Sequence, residues 1–231
     1  MLKLTICMLI TFALAQSVLS QRVRQPRDVV EAYQVCQQFQ RLMADTLDFD
    51  HAFEATFTRN AARRREIAIY EGEFGSLDFS RVDNATLIDA FKSRMQILYL
   101  MLPLASPDNK EEEELFFPPA MKEIFERKPP SAVEDFPAYA VQLKRDATEF
   151  RAHLNQLASE YPAVSKRITE FKNELLKKID PPQRIVKPLT AYSRGRVLGL
   201  HEEYYQIGDY AVIREGRQMR IIGIRFFSRL F

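Results

Sequence analysis

The stretch Arg194–Phe231, RGRVLGLHEEYYQIGDYAVIREGRQMRIIGIRFFSRLF, decides the fold. It is the only part of the chain that reads as sheet. Arg196–Leu200, Tyr204–Arg214 and Gln218–Phe227 form three β-prone runs. They are rich in Ile, Val, Tyr and Phe, which suit a pleated, half-buried surface. Glu215-Gly216 lies between the second and third runs, where glycine supplies the positive φ of a tight hairpin. Gly208-Asp209, inside the second run, signals a further turn or a bulge, and periodicity leaves both open. In the third run Ile222, Ile224 and Phe226 fall on one face, and Met219, Ile221 and Phe227, with Arg225 among them, on the other. A small meander with two largely apolar faces needs a cover to be stable in water. The helices upstream supply it. The predicted class is therefore α+β: a mainly helical body of six or seven helices, with a C-terminal three-stranded antiparallel meander packed on it.

The hairpin core Glu215-Gly216-Arg217-Gln218-Met219-Arg220-Ile221 resembles the closing hairpin of nuclear transport factor 2-like folds. The middle of this chain lacks the strands that family places there, so the resemblance stops at the hairpin.

With 231 residues and 46 % hydrophobics the chain can build one sizeable core. Residues 1–20 are set apart. Lys3 gives a positive start, Leu4–Leu14 is an apolar run broken by Thr5, Cys7 and Thr11, and Val18-Leu19-Ser20 resembles a cleavage site. This pattern predicts a signal peptide, cleaved after Ser20 or Ala15 or else retained as an anchor, and a secreted or periplasmic protein with no transmembrane span after cleavage. Beyond it lie a helical body at 21–180, a connector with prolines at 181–193, and the meander at 194–231. Cys36 is the one cysteine after the leader, so the core rather than a disulfide must hold the fold. From Pro181 onward nine Lys/Arg face four Asp/Glu, a net of +5, whereas residues 21–180 carry −4. A basic sheet on an acidic body either attracts its own helices or an anionic partner.

Asp28-Val29-Val30-Glu31 has capping-box spacing and predicts a helix start. Phe49, Phe53 and Phe57 recur at fours. Arg63-Arg64-Arg65 reads as a solvated helix face. Residues 84–102 form the most apolar helix after the leader, bounded by Pro103. Asn84-Ala85-Thr86 fits a glycosylation sequon and equally a helix cap. Phe136, Ala140, Leu143, Ala147, Phe150, Leu154, Leu157 and Tyr161 recur in heptad-like steps, and Pro162 opens a second helix. These two make an αα-hairpin over 135–179, either a bundle edge or a surface for a protein partner.

No Gly-x-Ser-x-Gly elbow, Walker loop or dinucleotide fingerprint occurs, and His51, His153 and His201 match no metal spacing. No cofactor and no metal are expected. The secretory route disfavours nucleic acid as a partner. If a pocket exists between the sheet and the helices, His201, Tyr205, Arg194, Arg196 and Asp209 are the residues to line it. The leading expectation is a non-catalytic binding protein; the alternative is a small-molecule pocket protein or enzyme with its site in that place.

Overall fold

The computed structural model describes residues 27–72, 74, 77–177, 189–190 and 203–224. The predicted signal peptide, most of the connector and the run Arg196–Leu200 lie outside them. Among the described residues eight α-helices precede a C-terminal antiparallel sheet, an α+β fold.

Helix α1 (Arg27–Thr46) buries Val29, Cys36, Phe39 and Met43 along one stripe. Its end is made by Leu47, which sits at φ 51°. That left-handed geometry is costly for a residue with a Cβ. It is held because the Leu47 carbonyl accepts from Gln96 Nε2 at 2.7 Å and from Arg151 Nη2 at 2.9 Å. Asp28 and Glu31 do not form the predicted capping box. Their carboxylates turn to the sheet instead, as described below.

Asp48 caps α2 (Phe49–Thr56) by accepting from the His51 amide. Its aromatic face meets Phe39 of α1 and Phe91 and Tyr99 of α4 (Asn84–Met101) with ring centroids 5.6 to 6.0 Å apart. Such pairs add about 1 kcal/mol each beyond burial. Helix α4 starts at Asp83, whose carboxylate takes both the amide and the hydroxyl of Thr86. The cap is thus Asp83 rather than the sequon residues. Asn84 Oδ1 accepts from Arg65 of α3 (Ala61–Glu71).

The predicted solvated face at Arg63–Arg65 is not what the fold uses. Arg64 lies over the Phe53 ring and pairs with Glu54. Arg65 donates to the Val82 and Phe79 carbonyls and Arg63 reaches Glu215. Partners so distant in sequence leave no local signal. Glu66, which follows them, has a buried oxygen without a hydrogen-bond partner, and burial raises its pKa. A raised acid favours folding below the ordinary value near 4.5 and costs stability as pH rises through the folded value. Glu66→Gln is expected to raise the urea midpoint at pH 7 and to leave it unchanged at pH 4.

Helices α5 (Lys110–Phe116) and α6 (Pro119–Glu126) are short. Arg167 clamps the first by pairing with Asp108 and Glu112. The heptad stripe is α7 (Phe136–Glu160), and it faces home: Leu143 and Phe150 are fully buried and α7 packs along α4. Tyr161, the last member of the stripe, is exposed. Pro162 opens α8 (Pro162–Lys177), which returns along α1.

The second β-prone run is two strands. β2 (Glu203–Ile207) turns at Gly208-Asp209 into β3 (Tyr210–Glu215), and Gly208 takes φ 55°. Gly216, at φ 61°, then turns the chain into β4 (Gln218–Ile224). A two-residue β1 (Leu189–Thr190) pairs with the outer side of β2. The other edge is closed by the segment after α2, where the Thr58 amide donates to the Ile221 carbonyl at 3.0 Å.

One irregularity corrects the predicted strand faces. Ala211 pairs with Gly223, but Val212 pairs with Ile221, so Ile222 is an extra residue in β4. A bulge of this kind shifts the alternation by one. Ile224 and Ile221, placed on opposite faces by strict period two, therefore share the face of Tyr210 and Val212. That face lies on α1, where the Tyr210 and Phe39 rings stand 5.8 Å apart.

Candidate functional site

Of the five residues expected to line a pocket, His201, Arg194 and Arg196 lie outside the described residues. Tyr205 sits mid-strand and its hydroxyl donates to Asp28 Oδ2 at 3.1 Å. Asp209 is in the turn between β2 and β3, half-buried. These two are not brought together, and neither lines the cleft found beside the sheet. The space towards α4 is occupied by the rings of Phe39, Tyr99 and Tyr210.

The cleft lies between α1 and the β3–β4 hairpin, with a volume of about 350 Å³. Helical spacing brings Glu31, Gln34, Val35 and Gln38 to one side of it. The hairpin contributes Arg217, Gln218, Met219 and Arg220, and Ala55 from the last turn of α2 closes the floor.

Arg220 is the decisive side chain. It is 8 % exposed in a strand that is otherwise apolar at that point. Its Nη1 donates to the Ala55 carbonyl at 2.7 Å, and its Nη2 donates to Gln218 Oε1. A cation at the last turn of α2 also meets the negative end of that helix. No carboxylate pairs with it among the described residues. Burial, and then the charge of Arg59, pull its pKa below the usual arginine value. It remains a guanidinium, since arginine is not deprotonated in proteins. Glu215, an acid whose charge acts on Arg220, is already engaged: burial raises its pKa, but the Arg59 amide and the Thr58 hydroxyl, at 3.0 and 2.9 Å, outweigh that and hold it low.

At the other end, α1 is latched to the sheet. Arg214 Nη2 lies 2.6 Å from both Asp28 Oδ1 and Glu31 Oε2, and Arg27 Nε lies 2.6 Å from Glu31 Oε1. Hydrogen bonds from Arg214 and then Arg27 lower the Glu31 pKa. A lowered acid contributes stability that is complete above its ordinary value near 4.5 and lost as pH falls through the folded value. The pair is exposed, so the effect is modest and screened by salt. Arg214→Gln is expected to lower the urea midpoint at pH 7, with the gap from the parent closing as the pH is taken below 4.5.

A second hollow of about 230 Å³ lies between the start of α2, α4 and α7. Its charges are spent on one another. Lys92 Nζ meets Asp50 at 2.7 Å, Glu54 at 3.2 Å and Asp89 at 3.5 Å. Burial lowers its pKa, but these carboxylates more than offset that, so Lys92 is an ammonium and not a nucleophilic amine. Arg151 is spent on the Thr46 and Leu47 carbonyls. Burial pushes the Cys36 thiol up, far from thiolate. His153 meets the Phe116 carbonyl at 3.0 Å. Among the described residues no three His, Cys, Asp or Glu side chains are grouped to hold a metal ion.

No family model, curated protein or solved structure matches the chain. The functional reading therefore rests on the cleft. Sequence reasoning missed its residues because they come from segments far apart in the chain. One signal was there: an arginine between Met219 and Ile221, in a strand whose neighbours are all apolar, needs a polar destination.

Proposed function

We propose that the protein is a secreted or periplasmic, non-catalytic binding protein that takes its ligand in the cleft between α1 and the β3–β4 hairpin. The observation that carries this reading is the buried Arg220. A desolvated cation costs stability unless something solvates it. Its two carbonyl contacts use only part of the guanidinium fork, and the remainder is available to the cleft. Gln34, Gln38 and Gln218 surround it with amides that can both donate and accept. Such a lining orients a polar ligand, and its one carboxylate, Glu31, is held by Arg214 and Arg27. Among the described residues no helix is long and apolar enough to cross a membrane.

The α7–α8 hairpin is the other interaction surface raised by the sequence. Its stripe is spent on the home core, and what remains outside is Val141, Tyr161 and Leu176. A partner there would meet single side chains. The cleft is therefore the favoured site. The test is thermal denaturation of the mature chain against a panel of small polar compounds. Gln38 is exposed, so Gln38→Trp fills the cleft without disturbing the core. Compounds that stabilise the parent are expected to lose their effect in that variant. Equal stabilisation of both proteins, or consumption of the compound with time, would contradict the reading. Export is tested by fusing residues 1–25 to a leaderless reporter, which is expected outside the cytoplasm.

A further inference from the structure

The geometry points to a small carboxylate as the ligand of the cleft, one that carries neutral hydroxyl or amide groups as well. This inference rests on the cleft being the binding site, and it adds the ligand's chemistry.

Three features set that chemistry. The first is charge. Arg217 and Arg220 line the cleft on the hairpin side and Glu31 lines it on the helix side. Glu31 is already held by Arg214 and Arg27, so the charge an incoming group meets is that of the two arginines on the hairpin side, and that group is an anion. The second is shape. Arg220 is fixed at both ends of its fork, on the Ala55 carbonyl and the Gln218 amide oxygen. A guanidinium held in one plane suits the planar carboxylate better than a tetrahedral oxyanion that needs donors from several directions. Arg217, exposed at the turn, reaches the same anion from the rim. The third is the amide set. Gln34 and Gln38 stand one helical turn apart and present side-chain oxygens as well as N–H groups. Oxygens are of no use to an anion, so they call for hydroxyl or amide donors elsewhere on the ligand.

The other features of the molecule fall short of this. The hollow beside Lys92 is self-neutralised, and the exposed apolar residues are scattered.

The experiment follows the ¹H–¹⁵N resonances of the full mature chain, including the arginine Nε–H signals. The chain is titrated at constant ionic strength with gluconate, glucose and inorganic phosphate. Gluconate is expected to shift the Arg220 and Gln38 signals saturably in the millimolar range. Glucose and phosphate should do so at least about tenfold more weakly, a difference of about 1.4 kcal/mol. Two variants avoid the folding role of Arg220. Arg217→Gln is expected to weaken gluconate about threefold. Gln38→Glu, which sets a carboxylate in the cleft from an exposed position, should weaken it about tenfold or more and leave glucose unchanged. Glucose binding as tightly as gluconate would overturn the carboxylate assignment and leave the cleft standing as a binding site. Phosphate binding more tightly than gluconate would overturn the preference for a planar carboxylate. No shift at the cleft with any of the three, up to tens of millimolar, would overturn the inference; the compound panel described above then decides whether the cleft binds anything.

Discussion

Phe39→Ala is expected to destabilise the protein by about 3–5 kcal/mol, and to do so for helices and sheet together. Phe39 is 1 % exposed and stands where the two parts meet. Its ring touches Phe49 and Phe57 on one side, Tyr99 of α4 on another, and Tyr210 of β3 on a third. Truncation leaves a cavity walled by aromatic rings fixed by their own neighbours, so the site relaxes poorly and the cost falls at the upper end for such changes. Urea unfolding followed at once by far-ultraviolet dichroism and by tyrosine fluorescence gives the measurement. The two probes should stay coincident while the midpoint falls. Phe39→Leu keeps most of the volume and should cost far less.

Arg127→Ala carries the second large effect, about 3 kcal/mol. Asp146 has a side chain only 1 % exposed, on the inner face of α7. Arg127 Nε donates to its Oδ2 at 2.6 Å, and Gln142 Nε2 donates to Oδ1 at 2.8 Å. Removing the guanidinium leaves a buried carboxylate with one neutral donor. That penalty exceeds the net worth of the intact pair, because desolvation of the remaining charge is no longer compensated. The Arg127→Ala, Asp146→Asn double variant should therefore be more stable than Arg127→Ala alone. If the double variant is the less stable one, the buried carboxylate is not the source of the cost.

The parts of the fold legible in the sequence are those set by local chemistry. The stripe from Phe136 to Leu157 is buried as its spacing requires. The helix at 84–102 is central because its apolar residues surround it, and the hairpin turn at Gly216 follows from the need for positive φ. What was hidden depends on distant partners. Asp28 and Glu31 have the spacing of a capping box, yet a sheet arginine claims both carboxylates. The bulge at Ile222 was hidden because an apolar residue on each side of the slip satisfies either alternation. The cleft was hidden for a similar reason. Gln34 and Gln38 look like ordinary exposed helix positions until the hairpin is laid over them.

The meander borrows its stability from α1. Native-state hydrogen exchange of the β3 and β4 amides, compared with those of α1 and α4, tests this most directly. If the sheet exists only under its helical cover, the slowest amides in all four elements will share one opening free energy and fall together in urea. Sheet amides that exchange through a separate opening, well below that of α1, would show the meander detaching on its own and would contradict it.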